Sequence, residues 1–174
     1  MKIYLVRHGE KEVRINENND PALTEEGKRQ IILLARRLKH NKLKISKIHS
    51  TGHLRSIQTA EILSKSLYLP VFKDDNLVEL EKELFDDITK DNGKFHEVKL
   101  FLERIVNNKE DVLLAMHGGI NRAIISCLLG FSLRDTRRLA MNHASLSLLE
   151  LVELKGVSEW KLRFLNDTTH LIVP

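Results

Sequence analysis

Two histidines stand in matching local contexts. His8 lies in Leu5-Val6-Arg7-His8-Gly9-Glu10, directly after a short β-prone run, and His117 lies in Met116-His117-Gly118-Gly119, after another. A glycine beside each lets the backbone turn sharply and approach a ligand closely. Gly118 and Gly119 also lead into a helical stretch, whose free N–H groups favour an anion. Arg7 adjoins His8, and Arg55 falls in Ser50-Thr51-Gly52-His53-Leu54-Arg55, at the start of a helix that follows another short strand. Arginine's planar fork suits phosphate oxygens, and two such groups would neutralise most of a phosphomonoester's charge. A neutral imidazole between them can attack phosphorus, and neighbouring guanidiniums disfavour its protonated form. The second imidazole can donate to oxygens whose charge changes in the transition state. A carboxylic acid is then needed to protonate the departing alkoxide.

These residues converge only if their elements are arranged to bring them together. Ile3 to Val6, residues 47–50 and Val71-Phe72 read as short strands. The run 112–116 is apolar without alternation, as expected of a strand buried on both faces of a parallel sheet. Helical spacing recurs at Ile31, Leu34, Ala35 and Leu38, and again over 54–68 at Leu54, Ile57, Ala60, Ile62, Leu63 and Leu67. Residues 96–107 and Ile120–Leu129 are two further helix candidates. The runs 145–152 and 160–165, separated by Lys155-Gly156, suggest a late antiparallel hairpin. Strands alternating with helices predict α/β architecture: a three-layer α/β/α sandwich around a mostly parallel sheet, with one antiparallel strand at an edge. In such sheets, ligands gather beyond the carboxyl ends of the parallel strands, where His8, Arg55 and His117 all fall. The acidic stretch from Glu81 to Gly93 reads as a surface loop with some helix, or as a lid beside a site.

The chain has 174 residues, 42% hydrophobic and 30% charged, which fits a single soluble domain over 1–174. Its 28 Lys+Arg against 24 Asp+Glu give +4, a mildly basic balance that permits anionic partners without requiring nucleic acid. Cys127 is the only cysteine, so no intrachain disulfide can form and a reducing compartment is expected. The first residues lack the apolar core of a secretory signal, and no run reaches the length of a membrane span. A cytoplasmic location without membrane attachment is the expectation.

The opening hexapeptide resembles the Arg-His-Gly signature of the histidine phosphatase (phosphoglycerate mutase-like) superfamily. Leu23-Thr24-Glu25-Glu26-Gly27-Lys28-Arg29-Gln30 resembles its "LTxxGxxQ" helix, and the segment 51–60 resembles the one carrying its second arginine and "QTA". Leu77-Val78-Glu79 is similar to its acid-donor segment and Ala115-Met116-His117-Gly118-Gly119 to its second-histidine segment. The matches keep the family's order over nearly the whole chain. The resemblance implies the phosphoglycerate mutase-like fold, His8 as nucleophile, and Arg7, Arg55 and His117 as the phosphate pocket, to which the helix start at Gly118 adds a phosphate-binding backbone. It implies Glu79 as general acid and no metal or other cofactor. The chain departs from the family at three places. Arg14 replaces an asparagine six residues after the nucleophile, the glycine and tryptophan after the acid donor are missing, and His53 replaces a leucine. Glu81 and Glu83 therefore stay open as alternative acids, and Arg14 is a candidate third cation at the pocket mouth.

The segment 80–95 is much shorter than the lid a mutase needs to keep water from its intermediate, which favours hydrolysis of a small phosphorylated substrate. Phosphoglycerate mutase-type transfer, a phosphohistidine-directed protein phosphatase and a non-catalytic phospho-ligand sensor are the alternatives. His49 and His53 have metal-ligand spacing only on a helix, which Gly52 argues against, so His53 is read as a rim residue. The basic run Arg36-Arg37-Lys39-His40-Lys42-Lys44-Lys47 has no interleaved aromatics and reads as a solvated face, as do Arg134, Arg137 and Arg138. Cys127 reads as core. The oligomeric state, a dimer included, is not set by the sequence.

Overall fold

The structure, a computed structural model, describes residues 1–13, 20–87 and 93–172. Six strands, β1 (Lys2–Arg7), β2 (Lys47–Thr51), β3 (Val71–Asp74), β4 (Val112–Met116), β5 (Leu146–Leu154) and β6 (Val157–Asp167), form one sheet in the order β3-β2-β4-β1-β5-β6. The first four are mutually parallel, whereas β5 runs antiparallel to both β1 and β6. The expected reversed strand therefore exists but is not the edge. The late hairpin adds both its strands to the sheet, so β5 is interior and β6 forms the rim. The hairpin is also longer than its sequence pattern suggested, because polar residues such as Glu153, Ser158 and Glu159 extend the pairing beyond the apolar stretch.

Alternation along the strands separates two cores. Ile3 and Leu5 of β1 with Val112, Leu114 and Met116 of β4 face one side; Tyr4, Val6, Leu113 and Ala115 face the other. The second side is covered by α1 (Glu25–His40) and α2 (Leu54–Leu67), through Ile31, Leu34, Leu38 and Leu63. The first is covered by α3 (Lys82–Asp86), α4 (Lys94–Asn107), α5 (Gly118–Leu129) and α6 (Leu133–Thr136), through Phe85, Phe101, Ile105, Ile120 and Ile124. Each of these large side chains is at most 5% exposed, and full burial of one contributes about 1.5–3 kcal/mol. The result is the three-layer α/β sandwich, its sheet mixed and mostly parallel. No described helix is long and apolar enough to cross a membrane.

Two local features position the site. Thr24 caps α1, accepting a hydrogen bond from Gly27 N–H at 2.9 Å, a cap contributing about 1 kcal/mol. This cap brings Gly27 against the loop after β1, where a Cβ on Gly27 would lie 2.0 Å from the Glu10 carbonyl oxygen. Helix α5 starts at Gly118, two residues earlier than its apolar run suggested, with His117 as its extended N-cap. Gly119 in the first turn is required because Glu79 and Leu80 pack against it at a distance no Cβ tolerates, whereas a Cβ on Gly118 would make ordinary contacts with Met141, Arg122 and Arg7. The acidic stretch contributes the five-residue α3; residues 88–92 lie outside the described part.

Candidate active site

Register brings the two histidines together. In the parallel β1–β4 ladder Arg7 is opposite Met116, so the next residues, His8 and His117, leave adjacent strand ends side by side. Their ring centroids are 5.3 Å apart in an edge-to-face arrangement. Both are buried, at 2% and 0% exposure. His8 Nδ1 lies 2.8 Å from the Gly9 carbonyl oxygen. A carbonyl only accepts, so Nδ1 carries the proton and Nε2 presents its lone pair. Burial, reinforced by Arg55, Arg7 and His143, pushes the His8 pKa down to about 3. The imidazole is neutral at physiological pH, the state in which it can act as a nucleophile.

His117 is held from behind: its Nε2 lies 2.8 Å from Thr51 Oγ1, at the carboxyl end of β2. Its Nδ1 is buried, has no hydrogen-bond partner in acceptable geometry, and lies 3.3 Å from Glu79 Oε2. Burial, with His8, Arg55, His53 and Arg7 nearby, lowers its pKa well below the usual imidazole value. Glu79 arrives from the segment after β3, and its Oε1 accepts from Gly119 N–H at 2.9 Å, at the N-terminus of α5. Burial pushes its carboxyl pKa up, against the opposing pull of that N–H and of Arg55, Arg7 and Arg122. The rivals Glu81 and Glu83 do not make these contacts. Glu81 pairs with Lys94 at 3.0 Å and Glu83 is exposed on α3.

Arg7 and Arg55 flank the pair, each with a buried Nε that lacks a partner. Arg7 is anchored by donating from Nη1 to the Met141 carbonyl oxygen, and Arg55 by donating from Nη1 to Asp20 Oδ1 at 3.2 Å. Asp20 also accepts from Leu54 N–H at 2.7 Å, tying the start of α2 to the loop after β1. Gln30 and Gln58 support the same loop by accepting from Glu10 N–H and Leu23 N–H. Gly118 lines a cleft of about 690 Å³ together with Arg7, Glu79, Leu80, Arg122 and Arg137. Orphaned buried donors are rare in folded proteins, and here they surround one small volume. That arrangement suits a tetrahedral oxyanion.

His8, Glu79 and His117 also place ligand atoms within 4.8 Å of one another, the one metal-compatible group among the described residues. A cation there would face two guanidiniums, so the donor set fits an anion better than a metal ion. His53 stands at the N-cap of α2, on the site's rim, with its ring 4.8 Å from that of His117. Arg14 lies outside the described residues. Arg137, read as part of a solvated face, is exposed; it also lines the cleft and pairs with Asp86. Sequence reasoning missed Thr51, Asp20, Arg122 and His143. For Arg122 the signal was its place one helical turn after Gly118, on the face directed at the pocket.

The fold recurs in solved structures. The chain superposes on a mycobacterial glucosyl-3-phosphoglycerate phosphatase with a TM-score of 0.74 at 20% identity, covering 95% of this chain and 98% of that one. An alpha-ribazole phosphatase from Shigella flexneri gives 0.76 at 18% identity, with 97% of each chain covered. A phosphoserine phosphatase variant from Entamoeba histolytica, in complex with phosphoserine, gives 0.74 at 18% identity over 98% of this chain and 99% of that one. In sequence, the chain is 28% identical over 215 aligned positions to a probable phosphoglycerate mutase, GpmB, of Yersinia pestis (strain Pestoides F), spanning all of this chain and 96% of that protein. The profile of the histidine phosphatase superfamily (branch 1) matches residues 3–99 and 94–168, ranges that include the residues meeting at the strand ends. On that match the chain belongs to the histidine phosphatase superfamily.

Proposed function

We propose that the protein hydrolyses a small phosphomonoester through a phosphohistidine on His8, without a metal ion. One observation carries this reading: His8 is held neutral with Nε2 free, among buried guanidinium nitrogens that lack partners. The phosphoryl group occupies the space between Arg7, Arg55 and His117, and His8 Nε2 attacks phosphorus in line. The Thr51 hydroxyl donates to His117 Nε2, which leaves the proton on Nδ1, facing the phosphoryl oxygens. Glu79, whose carboxyl pKa burial pushes up, gives its proton to the leaving oxygen. As carboxylate it then takes a proton from the water that attacks the phosphohistidine, so one residue serves both steps. The acid on this reading is Glu79, because it alone among the three candidates touches His117 and the α5 N-terminus.

The test is a panel of phosphomonoesters assayed with chelator present. Turnover by the wild type with release of inorganic phosphate, abolished in His8→Ala, is the expected result. Unchanged hydrolysis by that variant overturns the scheme. A second reading, phosphoryl transfer between hydroxyls, is favoured by the probable phosphoglycerate mutase relatives. Adding a bisphosphorylated primer separates it: movement of the phosphoryl group without net phosphate release assigns the protein to transfer.

A further inference from the structure

We propose that His143 is a third imidazole of the phosphoryl site, its Nε2–H donating to an oxygen of the bound group on the Arg7 side. The inference rests on the phosphoryl-site reading above and adds a residue to it. The His143 ring lies 5.4 Å from the His8 ring, almost the separation of His8 from His117. Its Nε2 is buried and has no hydrogen-bond partner among the described residues. Four other buried ring or guanidinium nitrogens share that condition around His8: Arg7 Nε, His53 Nδ1, Arg55 Nε and His117 Nδ1. The two guanidinium nitrogens are donors and each ring nitrogen can donate in one tautomer, so a common acceptor satisfies all of them, and a phosphoryl oxygen only accepts.

The backbone holds His143 there with some strain. Ser145 N–H donates to the Asn142 carbonyl oxygen at 3.1 Å, closing a four-residue turn in which Ala144 adopts φ 55°. That left-handed conformation costs energy in any residue with a Cβ, and local strain of this kind gathers at functional sites. The turn is fastened to the nucleophile's own segment by three bonds. Ala144 N–H donates to the His8 carbonyl oxygen at 3.1 Å, Arg7 N–H donates to the Ser145 carbonyl oxygen at 3.2 Å, and Arg7 Nη1 donates to the Met141 carbonyl oxygen. His143 and His8 therefore move as one unit. The charged groups nearest His143 are Arg7, Glu10 and Lys11, all from the strand end and loop that carry His8.

The test is calorimetric titration of wild type, His143→Ala and His143→Gln with orthovanadate, with thermal unfolding of each variant as the control for folding. A glutamine amide reaches the position of Nε2 and restores the donor without the ring. Loss of a hydrogen bond to an anion predicts roughly ten- to a hundredfold weaker vanadate binding in His143→Ala. His143→Gln is expected to stay within a few-fold of wild type, with kcat/KM on p-nitrophenyl phosphate following the same order. His143→Ala within twofold of wild type overturns the proposal, as does equal weakening of both variants, which would make the ring a packing element. Failure of the wild type itself to bind vanadate overturns the phosphoryl-site reading, and this inference with it.

Discussion

At the scale of single residues, the site separates its ionisable groups by environment. Two imidazoles are driven neutral and one carboxyl is driven towards its acid form, chiefly because water is excluded from all three. The guanidiniums oppose that effect at Glu79 and add to it at His8, so on the proposed function the same two arginines help the nucleophile and restrain the acid. On the proposed function, the acid step is lost as pH rises through the raised pKa of Glu79. Glu79→Gln is expected to lower kcat on an alkyl phosphate by about 10²–10⁴-fold, and by much less on p-nitrophenyl phosphate, whose leaving group needs no proton. The alkaline fall in rate should also disappear in that variant. Equal losses on both esters would remove Glu79 from the acid role. Thr51 makes a second case. Thr51→Val leaves His117 Nε2 without its partner, and Thr51→Ser keeps it. Phosphate inhibition constants should rise roughly tenfold in the first and little in the second; identical constants would show that the hydroxyl does not orient the ring.

At the scale of elements, the N-terminus of α5 links fold and chemistry. Position 119 in its first turn is glycine because Glu79 reaches the Gly119 N–H at 2.9 Å. A Cβ on Gly119 would meet Glu79 Oε1 at 2.4 Å and the Leu80 carbonyl oxygen at 2.6 Å. Gly119→Ala should thus displace the carboxylate, with a stability loss of about 1–3 kcal/mol and a fall in kcat approaching that of Glu79→Gln. Gly130→Ala is the contrast. The glycine caps the other end of the same helix at φ 71°, and a Cβ there would meet no atom within 4 Å, so about 1 kcal/mol is lost and kcat is kept. If the two alanines prove alike in kcat, the crowding at Gly119 has no functional weight. This helix also shows what the sequence could reveal. Its apolar face, the all-buried β4 before it and the His117-Gly118-Gly119 junction were readable, because each depends on neighbours in the chain. So were His8, at the end of a recognisable strand, and Arg55, at the start of the helix that follows another. His143, Asp20 and Arg122 were not, since their roles depend on a left-handed turn, a long loop and a helix phase set by distant packing. The rank of β5 in the sheet was hidden for the same reason: alternation says that a strand is paired, but not how many strands lie beyond it.

At the scale of the whole molecule, burying neutral histidines couples stability to pH. His49 of β2 is packed between the rings of Phe72 and Phe101, at 5.7 and 5.5 Å, and burial pushes its pKa down to about 4; that of His8 goes to about 3. In the unfolded chain both return to the ordinary imidazole value of roughly 6.5. Between that value and their folded values, the unfolded state binds more protons than the folded one, so stability rises with pH across this window. The contribution of each histidine is complete above about pH 6.5 and is lost as pH falls towards about 4 for His49 and about 3 for His8. Asp74 and Glu110 favour the charged form of His49, while Lys47 and Arg104 oppose it, and burial outweighs all four. The rings and charges nearest His49 are Phe72, Phe101, Lys47, Asp74, Arg104 and Glu110, none of them proposed for the reaction, so His49→Leu isolates the effect without disturbing the site. Relative to wild type, the variant should gain melting temperature at pH 5 compared with pH 7.5, with its steady-state rate unchanged. A difference in melting temperature that stays constant from pH 7.5 to pH 4.5 would mean that His49 is protonated in the folded protein, and that the sheet edge beside it is wetter than its aromatic neighbours require.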